Sequence, residues 1–341
     1  MQSPLSLIPA DKLSAVEKAL LHTFNTTDVS QMEPLAGGLS DSMVYKIALN
    51  GQWYVLKLYP PAGAPGNTDG RFACMKIAAD AGIAPPLYYL NTEDGLSVSA
   101  FIESKSLRAV FSSPDTLLTE LAKTIRSIHA MPAFPNESSL LNTVEALIGQ
   151  IRESPLLNED LFGNFFEYYD IIREHYPWQD TDKVSSHNDL NPNNLICGGN
   201  RIWVLDWDAA FRNDRYVDLA IAANFFVTNE AQESLFLEAY FGDGPDVYKS
   251  ARFFIMRQTC YLIYAILMFK LASGPDVTGI MNDPEMQKIT LREIGAQMGA
   301  GKLSLATGKG RLLYGKAMIN EALVHMRQPR FMSSIKLLAG F

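Results

Sequence analysis

Apolar positions recur with two periods along this chain, and the switches between them mark its elements. Residues 11–24 place Leu13, Val16, Leu20 and Leu21 at helical spacing and predict an amphipathic helix. Residues 43–59 then hold two strand-like runs joined at Asn50-Gly51, the dipeptide best suited to a tight hairpin turn. In the second run Trp53, Val55, Lys57 and Tyr59 share one face, so Lys57 points where apolar neighbours point. A helix is expected from about Arg71 to Ala81, and Leu96–Ile102 reads as a strand. Ser113-Pro114 supplies an N-cap and first-turn pair for a helix whose Leu117, Leu118, Leu121, Ile125 and Ile128 mark one face and which His129 ends. Ile202–Leu205 is a short apolar run after the turn Gly198-Gly199-Asn200, as in a buried strand. The most apolar stretch, Phe253 to Phe269, is interrupted by Arg257 and Gln258 and is short for a bilayer span, so it reads as a buried helix.

Composition bounds the partners. The 341 residues are 48% hydrophobic, enough for a sizeable core in one two-lobed enzyme or two modest domains. The 29 basic and 37 acidic residues leave a net charge of −8, which argues against a nucleic-acid or anionic-membrane partner and suits a cationic ligand. Cys74, Cys197 and Cys260 lack paired spacing, as expected in a reducing cytoplasm. The first twenty residues lack the basic and apolar regions of a signal peptide, so the expectation is a soluble cytoplasmic protein. Oligomeric state is not encoded in any pattern here.

The candidate chemistry begins at His187-Asn188-Asp189, followed by Asn194 and then by Asp206 and Asp208. Pro192 breaks the first segment, so Asp189 and Asn194 belong to a loop. Asp206 ends the apolar run, where a carboxylate is costly to bury unless it is paired or holds a cation. If the chain stays extended, Asp208 faces the same side, a spacing suited to Mg²⁺. Transfer of a phosphoryl group needs its charge neutralised by metal and its nucleophile aimed. Asp189 would orient the acceptor hydroxyl, and Asn194 and Asp206 would hold the metal; the plain alternative is a polar turn followed by a cap. His187 reads as a structural, hydrogen-bonded loop residue. Upstream, Gly37-Gly38 precedes Ser40, Asp41 and Ser42, where backbone N–H groups could approach phosphates. Lys57 then either snorkels from a half-exposed sheet or meets an anion.

In this order, the glycine turn, hairpin lysine, HxDxxxxN loop and Asp-bearing strand resemble the aminoglycoside phosphotransferase and choline kinase superfamily, from Leu35 to about Phe269. The resemblance implies an α+β, two-lobed, protein-kinase-like fold: a small antiparallel-sheet lobe over residues 1–101 that binds nucleotide, and a larger, mainly helical lobe over 102–341 with the catalytic loop and acceptor pocket. It implies that Gly37, Gly38 and Ser40 cover ATP, Lys57 contacts its phosphates, Asp189 is catalytic, and Asn194, Asp206 and Asp208 hold Mg²⁺. The connection after Leu96–Ile102 would hold the adenine. The run Asp206-Trp207-Asp208-Ala209-Ala210, Asn213 and Tyr216-Val217-Asp218-Leu219-Ala220 is similar to bacterial choline kinases, with Asp218 structural. Two departures stand out. Ala73 and Cys74 occupy the place of the helix glutamate that pairs with the strand lysine, leaving Asp69 or Asp80 as substitutes. Val227 and Thr228 follow Asn224-Phe225-Phe226 where characterised choline kinases carry a glutamate.

The expected function is an ATP-dependent kinase acting on the hydroxyl of a small amine-bearing metabolite, choline or ethanolamine first, with an aminoglycoside or a thiamine-type acceptor as alternatives. Aromatic residues including Tyr261 and Tyr264 could cage a quaternary ammonium or simply pack the core. Because the helix glutamate is missing, a nucleotide-binding scaffold without turnover is the competing class.

Overall fold

Asn50 and Gly51 take φ values of 51° and 76°, and this turn folds β2 (Met43–Leu49) back onto β3 (Gln52–Leu58) with Leu49 opposite Gln52. The computed structural model describes residues 4–35, 42–60, 70–153, 159–179, 182–272, 277 and 284–340. Around the hairpin grows a five-stranded sheet in which β1 (Gln31–Pro34) pairs with β2, and β5 (Leu96–Ala100) lies between β3 and β4 (Leu87–Asn91). All four pairings are antiparallel.

One face of this sheet buries Ile47, Leu49, Leu56, Leu58, Leu96 and Val98 against Val16, Ala19 and Leu20 of α1 (Ala10–Phe24). The period-2 reading of β3 therefore holds, but the core face is that of Tyr54, Leu56 and Leu58. Lys57 lies on the other, half-buried face, where a charge can be kept if it finds a partner.

The chain divides into two compact units, residues 1–137 with 184–212, and residues 138–183 with 213–341. The expected division after residue 101 follows chain order, whereas these units do not. The reason lies in the hairpin β7 (Leu195–Gly198) and β8 (Arg201–Val204). It is held to the segment after β5 by the Lys105 N–H donating to the Cys197 carbonyl at 2.9 Å, and a Cβ on Gly198 would lie 2.4 Å from Ile102 Cγ2. The first unit also holds α2 (Arg71–Asp80), the short α3 (Leu107–Val110) and α4 (Pro114–His129), whose Ser113 caps the Thr116 N–H as the sequence predicts.

The second unit is helical: α5 (Leu140–Arg152), α6 (Phe165–His175), α7 (Arg215–Phe226), α8 (Glu230–Phe241), α9 (Val247–Leu271), α10 (Leu291–Gly299), α11 (Gly308–Met326) and α12 (Pro329–Ala339). Its centre is α9, which packs on α7, α11 and α12. At 25 residues α9 is longer than its apolar run predicts and long enough to cross a bilayer, yet 72% of its most apolar window is buried inside the unit. Gly315 lets α11 approach it closely, since a Cβ there would lie 2.7 Å from a Phe269 ring carbon.

Candidate active site

The loop from His187 to Asn194 is shaped by its own asparagines. Asn188 takes φ 64°, a left-handed conformation that Asn tolerates, and its amide donates to the Ala209 carbonyl at 2.9 Å. His187 is fully buried, with Nε2 2.9 Å from the Leu205 carbonyl oxygen and Nδ1 accepting from the Asp189 N–H at 3.2 Å. Its ring meets the Trp207 edge, 4.7 Å between centroids. The histidine thus ties the loop to the segment after β8 and aims the backbone of Asp189.

Asp189 and Asn194 meet directly. The Asn194 amide nitrogen donates to the Asp189 carbonyl at 2.8 Å and to its Oδ2 at 2.9 Å, while Asn191 donates to Oδ1 at 3.0 Å. Asn191 also caps the 3₁₀ turn Pro192–Asn194 by accepting from the Asn193 N–H. Sequence reasoning missed Asn191; the density of Asn over 188–194 is the signal that could have found it, because Asx side chains recur where a loop hydrogen-bonds to itself.

The open end of the β7–β8 hairpin brings the next pair of groups alongside. Leu205 N–H donates to the Asn194 carbonyl at 2.8 Å, which places Asp206 beside that loop. Asp206 takes φ 61° and ψ 69°, and residues Trp207–Ala209 form a 3₁₀ turn. The chain is therefore not extended here, as the spacing argument assumed, and Asp206 and Asp208 reach one side through a left-handed kink instead. A non-glycine residue held in this region marks a position that the surrounding contacts over-determine. Trp207 is buried, with its indole donating to the Val204 carbonyl at 3.1 Å.

Both carboxylates meet Lys57, whose Nζ lies 2.7 Å from Asp206 Oδ1 and 3.0 Å from Asp208 Oδ2. Lys57 faces Ser97 on β5 and Val44 on β2 in the sheet register, so three strands fix its origin. Its side chain is 15% exposed, against 32% and 26% for the two aspartates. Burial opposes the charge of Asp206, but the Lys57 ammonium outweighs it and holds that carboxyl below its ordinary range. For Asp208 burial is the largest effect and the neighbouring Asp206 charge adds to it, so its pKa stays raised despite Lys57. Lys57 itself is pushed up: burial disfavours its charge, while the Tyr59 phenol and the two aspartates overcome that penalty.

The helix that faces this site carries no glutamate, and the structure shows what replaces it. Cys74 is fully buried, and its thiol donates to the Ala210 carbonyl at 3.4 Å, packing α2 onto the turn that presents Asp208. Asp80 pairs with Lys76 on the exposed side of α2, so it does not substitute for the missing partner. Lys57 pairs with Asp206 and Asp208 instead. Gly37, Gly38, Ser40 and Asp69 lie outside the described residues. Asp218 is fully buried in the first turn of α7 in the helical unit, a setting that fits a structural residue.

A family model described as a phosphotransferase enzyme family matches residues 31–254. The chain also resembles a choline/ethanolamine kinase family protein from Mesorhizobium loti over 97% of its length and 100% of that chain, with 17% identity and a TM-score of 0.65. Choline kinase LicA from Streptococcus pneumoniae matches over 78% and 94%, with 18% identity and a TM-score of 0.58. The ternary complex of APH(2″)-IIa with streptomycin and ATP matches over 75% and 89%, with 15% identity and a TM-score of 0.53. An uncharacterised protein of Metamycoplasma hominis is 30% identical over 186 residues, covering 53% of this chain and about a third, 35%, of that relative. The structural likenesses show a shared kinase-like α+β fold, with the antiparallel sheet N-terminal and the larger part helical, as the sequence predicts.

Proposed function

Since the chain belongs to the phosphotransferase enzyme family, a set of small-molecule phosphotransferases, we propose that it moves the γ-phosphoryl group of ATP to the hydroxyl of a small amine-bearing metabolite, with choline or ethanolamine the first candidates. The observation that carries this reading is the convergence of Lys57 on Asp206 and Asp208, beside a loop in which Asn194 fixes Asp189. Solved relatives bind AMP or ATP, which supports the nucleotide as donor.

The donor set fits Mg²⁺. Asp206 and Asp208 offer hard carboxylate oxygens, and Asn194, whose amide nitrogen is committed to Asp189, keeps its Oδ1 for a cation. Lys57 already places a positive charge beside the two carboxylates, which supports a cation there. Mg²⁺ held here would neutralise charge on the transferring phosphoryl group. Two carboxylates and an amide leave positions for phosphate oxygens and water, as Mg²⁺ prefers. In this reading Asp189 accepts a hydrogen bond from the acceptor hydroxyl and aims it, its carboxylate held by Asn191 and Asn194. Lys57 would contact the phosphates, with Asp206 and Asp208 balanced by the metal they would hold.

Support for an amine-bearing acceptor comes from the helical unit taken by itself. Phe225, Tyr261, Tyr264 and Tyr314 line a small cavity there together with Asn224, with room for about one water and no carboxylate among its lining residues. Aromatic faces of this kind attract a methylated ammonium, and the cavity would have to open to admit one. Val227 and Thr228, at the place of the expected glutamate, engage elsewhere: Val227 is buried, and both Thr228 polar groups bond Gln232. The test is ADP release from Mg²⁺-ATP across choline, ethanolamine, thiamine and several aminoglycosides, with Asp189→Asn as the blank. Acceptor-dependent release that vanishes in the variant is the expected result. ATP binding with no release on any alcohol would replace the kinase by a nucleotide-binding scaffold.

A further inference from the structure

Arg71 opens α2 with its side chain inside the protein: the residue is only 4% exposed. Its guanidinium carbon lies 4.6 Å from the centre of the Tyr59 ring and 4.8 Å from that of Phe72. Among the described residues it makes no ion pair, and its Nε is buried without a hydrogen-bond partner. An arginine keeps its charge, so the cost of burying it stands, offset in part by the nearby Asp208 carboxylate. Stacking on two rings returns part of that cost but leaves the in-plane N–H donors open.

The location of this charge is informative. The Tyr59 ring that carries Arg71 also carries Lys57, whose Nζ is 4.8 Å from the ring centre. Tyr59 is itself pinned, its hydroxyl within 3.3 Å of Ser97 Oγ and 3.5 Å of Met75 Sδ, so both cations share a fixed platform. The carboxylate that feels Arg71 is Asp208, which already accepts from Lys57. Two cations thus share one aromatic ring beside the Asp206–Asp208 pair.

We infer that Arg71 is a phosphate-binding residue, its guanidinium fork taking non-bridging oxygens of the nucleotide's polyphosphate while Lys57, beside the same Tyr59 ring, takes another. The inference rests on ATP being the donor. It also gives a reason for the absence of a glutamate from α2: a carboxylate beside Arg71 would compete with the phosphate, whereas Asp206 and Asp208 pair with Lys57. A planar fork held by two rings is prepared for a tetrahedral oxyanion, and a buried charge-assisted hydrogen bond is among the stronger polar contacts a site can offer.

The experiment compares ATP and adenosine binding by calorimetry, in Mg²⁺, for the full chain and for Arg71→Met and Arg71→Lys. Arg71→Met should lose about tenfold or more in ATP affinity. Its adenosine affinity and melting temperature should stay close to wild type, and Arg71→Lys should fall between. Wild-type ATP affinity in Arg71→Met overturns the inference, and so does an equal loss for ATP and adenosine together with a lower melting temperature, which marks a packing role. Should Arg71→Met not fold, the Nε–H resonance of Arg71 in ¹⁵N-labelled wild-type chain, titrated with ATP, gives the answer: a shift supports the contact and its absence refutes it. Failure of the wild type to bind ATP would instead overturn the donor assignment.

Discussion

Lys57 Nζ stands 2.7 Å from Asp206 Oδ1 and 3.0 Å from Asp208 Oδ2, which puts the lysine's charge where two carboxylates converge. The sheet and the segment after β8 each contribute one half of this contact, and each half unpaired would carry a desolvation cost: an ammonium on the half-buried face of β3, and two close carboxylates. The pairing also means that a divalent cation entering the site competes with a protein cation.

Replacing that lysine separates the two effects. Lys57→Met removes the proposed phosphate contact and leaves Asp206 and Asp208 without their balancing charge. Turnover should fall on the order of 10²-fold or more, as for loss of one transition-state donor. Mn²⁺ binding without nucleotide, followed by electron paramagnetic resonance, should tighten by about tenfold, because the metal no longer displaces an ammonium. Unchanged or weaker Mn²⁺ binding would show that the carboxylates do not form the metal site.

Asp189→Asn probes the neighbouring loop. The substitution keeps size but sets an amide against either Asn191 or Asn194, both of which donate to the present carboxylate. Loss of the group that aims the acceptor should lower kcat by about 10²–10⁴-fold with ATP affinity within about threefold of wild type. Equal losses in ATP affinity and kcat would mean that Asp189 supports the nucleotide site rather than the acceptor.

How much of this was legible in the sequence differs by residue. The hairpin turn at Asn50-Gly51, the cap at Ser113 and the buried strand before Asp206 follow from local rules that tertiary context did not override. The pairing of Lys57 with Asp206 and Asp208 could not be read, because it joins positions 149 and 151 residues apart and depends on a left-handed Asp206 that no pattern announces. The same limit hid Arg71, whose burial is decided by two rings, one of them on another element. The β3 face was assigned by period alone, and period cannot say which of two faces meets α1.

The helical unit carries a pH-sensitive group of its own. His325 on α11 lies with Nδ1 3.3 Å from Gln258 Oε1 and Nε2 3.6 Å from Glu321, with Arg257, Arg330 and Glu233 close by. Burial first, and then Arg257, push its pKa down to about 4. A histidine with a lowered folded-state pKa binds fewer protons folded than unfolded between about pH 6.5 and 4, so stability drops as pH falls through that window. Going from pH 7 to 5 this one group should cost about 2 kcal/mol. Urea midpoints at the two pH values should therefore differ less for His325→Gln than for wild type. An identical pH dependence in both would remove His325 as its source.

Lys316 on α11 presents the opposite case, a buried cation whose removal should help. It is fully buried and donates to the Leu161 carbonyl at 2.7 Å, its contact among the described residues. Desolvation brings its pKa down to about 8. The folded state thus binds fewer protons than the unfolded state between about pH 8 and 10.5, so wild-type stability rises as pH climbs through that range, and the full penalty is present below it. Lys316→Met keeps an apolar chain of similar length, removes the penalty and leaves one carbonyl unbonded. At pH 7 the gain from desolvation exceeds the net worth of one hydrogen bond, and the variant should be more stable by about 1–2 kcal/mol. That advantage should shrink toward pH 9.5, where wild-type Lys316 sheds its proton on folding. Melting temperatures of both proteins at pH 7 and 9.5 test this: a variant less stable at pH 7, or an advantage that does not change with pH, would show that Lys316 is held as a paid-for charge with a counter-ion in the folded chain.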